Sequence, residues 1–286
     1  MRVVVGVDWT EERLSGVEEV LHLYAPQELG LVHAVNLGAL ESHALVPSME
    51  QQAYDDLRRA KQLAREAACQ PLDQIASRVE ADVPSVRQVC EVGSPASLIL
   101  DTAQSAGADL VVVGHRGLGQ VAELAMGSVS HRVLLNATCS TLVVKGSPRK
   151  PQRVLVAVEG SHDMARIQTW LIAHPFKHSV NLVVMSVVPQ PQVGKHKGTL
   201  KFWTQAAFKG AQGLVNNMAA VLNGPHYAAT GHVANGDPAT VIAQEASRFD
   251  LLVVSSHGRK GLHRFLLGSV SHSLVHRAPC PVLVVR

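Results

Sequence analysis

ADLVVVGHRGLGQVAELAMGSVSHRVLLNATCSTLVVK, from Ala108 to Lys145, is the stretch that decides the fold. It opens on DLVVVG, an unbroken apolar run of strand length, the pattern of a strand covered on both faces. A glycine-bearing loop follows, then SVSHRVLLNA with helical character, then a second apolar run, STLVVK. Strand, helix and strand in close succession make a right-handed crossover between parallel strands. The unit returns 141 positions later as FDLLVVSSHG (Phe249–Gly258) and GSVSHSLVHRAPCPVLVVR (Gly268–Arg286).

Working outward, two more blocks recur in the same order. RVVVGVD (Arg2–Asp8) returns as RVLVAVE (Arg153–Glu159), and EVGSPASLIL (Glu91–Leu100) as ANGDPATVIA (Ala234–Ala243). Four paired blocks in one order mark a duplicated domain. The expected domains are residues 1–146 and 152–286, joined through GSPRKP (Gly146–Pro151). Within the first copy, Thr10 is placed to cap EERLSGVEEVLHLYA. LGLVHAV then reads as a strand, and Ser48–Val79 as a long helical stretch interrupted or kinked near Pro71. VRQVCEV reads as the third strand, and SPASLILDTAQSA as a helix with Pro95 in its first turn. Five strands alternating with four helices predict an α/β fold of two tandem, doubly wound, five-stranded parallel sheets.

Such sheets bind ligands beyond the carboxyl ends of their strands, where the strand order reverses. For a sheet that starts in its middle, that crevice lies between strands 1 and 4, whose ends carry Asp8 and the glycine loop. Gly114, Gly117 and Gly127 permit close backbone approach, and Gly127-Ser128 opens a helix whose free N–H groups and positive dipole end suit an anion. Ser128 and Ser130 add hydroxyls and Arg116 a charge, so phosphate is the natural ligand of the loop. Asp8 suits the amino or hydroxyl groups of a base or ribose.

With these residues in place, both halves resemble the universal stress protein family, over nearly the whole chain and as a tandem pair. The resemblance implies strand order 3-2-1-4-5 in each domain, the adenine-nucleotide alpha-hydrolase-like arrangement. The nucleotide-binding motif of that family, G-x2-G-x9-G-(S/T) with an Asp ending strand 1, is matched by Gly114, Gly117, Gly127, Ser128 and Asp8. Carried over residue by residue, the resemblance implies adenine at Asp8 and Ala34 and ribose near Gly114, with Val7 also in the nucleotide site. It implies phosphates at Gly117, Gly127, Ser128, Val129 and Ser130. The implied cofactor is ATP, with Mg2+ held mainly by the phosphates. The second half departs from the motif twice: Glu159 stands for the Asp, and Ser255 for the first glycine. Gly258, Gly268, Ser269, Val270 and Ser271 remain, with Val187 as the strand-2 position. That half is left with three readings: a bare anion, weak nucleotide binding, or no ligand. The resemblance also implies an intramolecular pseudo-dimer through the last strands, STLVVK and PVLVVR, with a further homodimer open.

Charge is unevenly shared. Residues 1–150 hold 18 acidic and 13 basic side chains, a balance of −5; residues 151–286 hold 5 and 13, a balance of +8. The basic residues are scattered and aromatics make up 4% of the chain, which argues against nucleic acid as partner. No apolar run reaches the roughly 18 residues of a membrane span, and MRVVVGVDWT lacks the pattern of a signal peptide, so a cytoplasmic location is expected. Cys69, Cys90, Cys139 and Cys280 form no CxxC and are expected to be reduced core residues.

Other constellations carry less. His272 and His276 have the i,i+4 spacing of two metal ligands, but HSLVH lacks a metalloprotease glutamate and position 135, the counterpart of 276, is Leu. They are expected to pack or face solvent, and His131 and His272, at matching helix positions, to be structural or interface residues; no metal site is expected. His257 has no Ser-His-Asp partnership in view. No GxxxxGK[ST] is present, and the third strand ends without the phosphorylatable Asp of a response regulator. Catalysis is therefore expected to be absent or limited to slow ATP hydrolysis. The leading expectation is a stress-response protein that binds ATP in its first domain. The rival is a non-nucleotide scaffold or carrier whose second domain takes an anionic or lipid-like ligand or a protein partner. Its motive is the insert Gln190–Leu222, where Lys195, Lys197, Lys201 and Lys209 accompany Phe202, Trp203 and Phe208.

Overall fold

The computed structural model describes residues 1–8, 14–35, 51–115, 126–189, 197–256 and 267–286. In the first half these form β1 (Arg2–Gly6), α1 (Ser15–Leu23), β2 (Glu28–Val35), α2 (Gln51–Val79), β3 (Ser85–Val92), α3 (Pro95–Ala106), β4 (Leu110–Gly114), α4 (Ser128–Asn136) and β5 (Ser140–Val144). The second half repeats the order with β6 (Arg153–Ala157), α5 (Ser161–Ala173), β7 (Val180–Val188), α6 (Lys197–Leu222), β8 (Tyr227–Asn235), α7 (Pro238–Ala246), β9 (Leu251–Ser255), α8 (Ser269–Arg277) and β10 (Val282–Val285).

The α/β class holds, and each half has strand order 3-2-1-4-5 with parallel neighbours. One feature differs from two separate sheets: β10 pairs antiparallel with β5, fusing all strands into one ten-stranded sheet. The join runs through Val143 opposite Val282 and Leu142 opposite Leu283. Pairing satisfies the backbone groups that two exposed apolar edges would otherwise leave open to other chains.

Alternation along the apolar strands sends side chains to two cores, one on each face. Val3, Val5, Leu110, Val112, Leu251 and Val253 pack beneath α1, α2, α5 and α6, while Val4, Val111, Val113, Leu252 and Val254 pack beneath α3, α4, α7 and α8. Both cores run across the join. On the first face, Tyr24 packs its ring 5.5 Å from Phe176, and Lys177 N–H donates to Leu23 C=O at 2.8 Å. On the second, two cations exchange ends. Lys145 Nζ donates to Ala278 C=O at 2.6 Å, and the Arg286 guanidinium donates to Leu134 C=O. Each strand's terminal cation thus caps the carbonyl end of the other half's helix, where the dipole favours positive charge.

The repeat is also visible in small anchors. Asp109 accepts from Arg2 N–H at 2.7 Å, and Asp250 accepts from Arg153 N–H at 2.9 Å, each tying the first strand of its half to the fourth.

Two expectations change. The cysteines are not all reduced: Cys69 on α2 and Cys90 on β3 form a disulfide, with Cα atoms 5.8 Å apart, while Cys139 and Cys280 are free. Helix-on-strand packing brings the pair together, and no spacing rule reports such a contact. It fastens an edge strand that is largely solvated. Of an interruption or a kink near Pro71, the interruption is absent, since α2 runs through Pro71 to Val79. Thr10 lies outside the described residues.

Candidate functional site

Sheet register places the first crevice. Val3, Val4 and Val5 stand opposite Leu110, Val111 and Val112, so Val7 and Asp8 leave β1 level with Gly114 at the end of β4. Val7 N–H continues the ladder to Val32 C=O at 2.8 Å, and His33 Nδ1 lies 2.9 Å from Val7 C=O. A carbonyl only accepts, so this contact fixes the proton on Nδ1. Burial lowers the His33 pKa, against the pull of the Asp8 charge, and the ring is a neutral prop under the end of β1. Sequence reasoning missed His33, because one histidine in an apolar run carries no pattern.

Across the crevice, α4 is anchored to the end of β4. The buried Ser130 hydroxyl donates to Gly114 C=O, and Gly127 N–H donates to His115 C=O at 2.8 Å. Ser130 therefore holds the loop ends together, and Ser128 is the exposed hydroxyl in the first turn of α4. Val129 and Ala34 are half-buried. The structure thus brings Val7, Asp8, Gly114, Gly127, Ser128 and Ser130 to one end of the sheet. Arg116 and Gly117 lie outside the described residues.

In the second half the anchors are the same and the lining is not. Ser271 donates to Ser255 C=O at 2.6 Å, and Gly268 N–H to Ser256 C=O at 2.8 Å. Val156 stands opposite Val253, which sets Val158 and Glu159 level with the end of β9. The side chain that replaces glycine, Ser255, is buried and accepts from Arg166 Nη1 of α5 at 2.8 Å. Asp163 of the same helix is also buried, and its Oδ2 accepts from Glu159 N–H at 3.3 Å. Burial raises the Asp163 pKa; hydrogen bonding by Ser255 and Glu159 N–H and the Arg166 charge oppose it. Glu159 itself is exposed, Val187 is buried, and Ser269 and Val270 open α8. Gly258 and His257 lie outside the described residues, as does Lys195 of the basic insert.

A separate cleft of about 250 Å³ lies by the linker, lined by Glu19, Lys145, Arg149, Phe249, Asp250 and Cys280 among others. Glu19 is buried there, and desolvation pushes its carboxyl up to about 7, against a backbone hydrogen bond and the charge of Arg149. These residues do not meet the strand ends that carry Asp8 and Gly114.

Comparison with known proteins agrees with this architecture. The model of the universal stress protein family matches residues 1–145 and 150–286. A universal stress protein of Mycolicibacterium smegmatis is 30% identical over 198 residues, covering 68% of this chain and 66% of its own length. One of Bacillus subtilis is 24% identical, covering 50% of this chain and 98% of itself. The chain thus matches just under two thirds of the length of the first relative. Among solved structures, a universal stress protein from Archaeoglobus fulgidus aligns with TM-score 0.59 at 19% identity, over 99% of this chain and 96% of that one. A putative one from Pseudomonas aeruginosa aligns with TM-score 0.62 at 16% identity, over 100% and 93%. With both halves matched by the family model on a shared fold, the chain belongs to the universal stress protein family.

Proposed function

We propose that the chain binds ATP in the crevice between β1 and β4 and acts through its bound state in a stress response, with hydrolysis slow at most. The observation that carries this reading is the contrast at the ends of β4 and β9. Gly114 brings no side chain to the crevice beside Asp8, whereas Ser255 and Arg166 occupy the corresponding place in the second half. The residues fit the nucleotide. Asp8 offers acceptors to an amino or hydroxyl group, and the start of α4 at Gly127 and Ser128 offers N–H groups to phosphate. Gly117 and Arg116 belong to the same proposed site by sequence. ATP would bring Mg2+ on its phosphates, and the chain's own part is to bind and orient. The second half, on this account, takes no nucleotide.

The fused sheet supports reading the chain as an intramolecular pseudo-dimer, with β3 and β8 as its outer edges. Among the described residues no helix is long and apolar enough to cross a membrane, and we place the protein in the cytoplasm. A reducing cytoplasm would keep the Cys69–Cys90 bridge open for much of its life.

Isothermal titration with ATP and Mg2+ tests the function. The wild type is expected to bind, and the double variant Asp8→Ala, Gly117→Val to lose the heat while keeping its fold by circular dichroism. Equal heats for both proteins, or none for the wild type, refute the reading. Native mass spectrometry that shows a retained non-nucleotide mass would favour a carrier instead.

A further inference from the structure

Three histidines meet where the two halves join on the α4 and α8 face. His131 comes from α4, and His272 and His276 from successive turns of α8. The Nε2 atoms of His131 and His272 stand 3.3 Å apart, and one ring nitrogen from each of the three residues lies within 4.8 Å of the other two. His276 Nε2 is buried and has no hydrogen-bond partner among the described residues. A buried imidazole nitrogen without a partner is costly to leave so, and this one lies beside two further imidazoles.

We propose that His131, His272 and His276 form a binding site for one borderline-soft divalent cation, of the Zn2+, Ni2+ or Cu2+ type, that ties the first half to the second. Geometry supports it. Ligand nitrogens about 2.0–2.1 Å from a tetrahedral metal are about 3.3–3.4 Å from each other, and the His131–His272 pair already has that separation. The two edges to His276 lie within 4.8 Å, and a small rotation of its ring would shorten both. Chemistry sets the class. Among the described residues the cluster offers imidazole nitrogens and no carboxylate, a donor set for zinc, nickel or copper rather than for magnesium or calcium. Lys145 is a cation beside His276; its ammonium is turned onto the carbonyls of Ala278 and His276.

The site draws on the duplication and departs from it. His131 and His272 occupy equivalent helix positions and face each other across the join, while position 135, the counterpart of His276, is Leu. One metal per chain follows, held by both halves at once. Bound there, it pins α4 to α8 directly above the β5–β10 pairing.

The test uses the whole chain without nucleotide, so its outcome is independent of ATP binding. Titration with Co2+ is expected to raise the visible absorption of a low-symmetry, four-coordinate site, saturating at one equivalent. Zn2+ is expected to displace it and Mg2+ to leave it unchanged. The variants His131→Gln and His276→Gln are each expected to weaken binding at least about tenfold. His178→Gln, at an exposed position, is expected to leave it intact. Melting in the absence of metal checks that the variants fold. Zn2+ is expected to raise the wild-type melting temperature and to raise it less in His131→Gln. If His131→Gln does not fold, His276→Gln, which keeps the facing pair, decides. A wild type with no saturable Co2+ spectrum overturns the proposal, as does undiminished binding in both His131→Gln and His276→Gln.

Discussion

The ends of β4 and β9 share their anchoring and differ in what they enclose. Each is clamped to the following helix by a serine hydroxyl on its own carbonyl and by a glycine N–H one residue further on. Between the clamps, the first half presents glycine beside a half-buried aspartate. The second half presents a buried serine bound to Arg166, with a buried Asp163 beside it. The first helix of each half also buries one carboxylate, but in different places. Glu19 of α1 faces the linker cleft, and Asp163 of α5 faces the strand ends. A duplicated scaffold has kept its backbone device in both copies, while in the second copy Arg166 binds the serine that replaces glycine and the Glu159 N–H binds Asp163.

The largest expected effect comes from the covalent difference between the halves, since the described bridge lies in the first alone. Reduction, or Cys69→Ala, removes a loop constraint of about 20 residues and is expected to cost about 3 kcal/mol. Denaturant unfolding with and without reductant reads it. A first half that unfolds with unchanged midpoint would show that the bridge adds nothing to the packing of α2 on β3.

Next is Glu19. Its folded pKa of about 7 lies above the unfolded value of 4.5, so the folded state holds the proton more tightly. That contribution is complete below about 4.5 and is lost as pH rises through 7. Glu19→Gln is therefore expected to stabilise the chain by about 2 kcal/mol at pH 8 and by nothing at pH 4, measured as melting against pH. A gain independent of pH would mean that the carboxyl is not desolvated in the cleft.

A smaller effect tests the crevice itself. Gly114→Ser carries the second half's residue into the first and is expected to weaken ATP about tenfold, or about 1.4 kcal/mol, in titration calorimetry. Unchanged affinity would place the nucleotide away from the end of β4. The reciprocal Ser255→Gly is expected to lower stability by about 1 kcal/mol, through loss of the hydrogen bonds to Arg166 and Asp163. It is expected to create no second nucleotide site while Arg166 remains; a second equivalent of ATP would show that the serine alone closes that crevice.

How far the sequence carried these conclusions depends on distance along the chain. The strands were legible because Val-rich runs such as Leu110–Val113 must be covered on both faces, and the repeat made each reading count twice. Asp8 and Gly114 were legible as a pair because parallel topology brings the ends of strands 1 and 4 together. Arg166 was not, because it reaches Ser255 across 89 positions and from a helix face that periodicity assigns to solvent or core alike. The disulfide was hidden for the same reason, at a separation of 21 with no motif around it. The histidine cluster was half visible: His272 and His276 share one helix face, but the ring that meets them comes from the other half.

The account rests on one half binding nucleotide and the other closing on itself, and stoichiometry tests that most directly. Titration of the wild-type chain with ATP and Mg2+, with native mass spectrometry of the saturated complex, is predicted to give one ATP per chain. Binding is predicted to fall with Asp8→Ala and to persist with Glu159→Ala. Two equivalents per chain, none, or loss of binding with Glu159→Ala alone would contradict it.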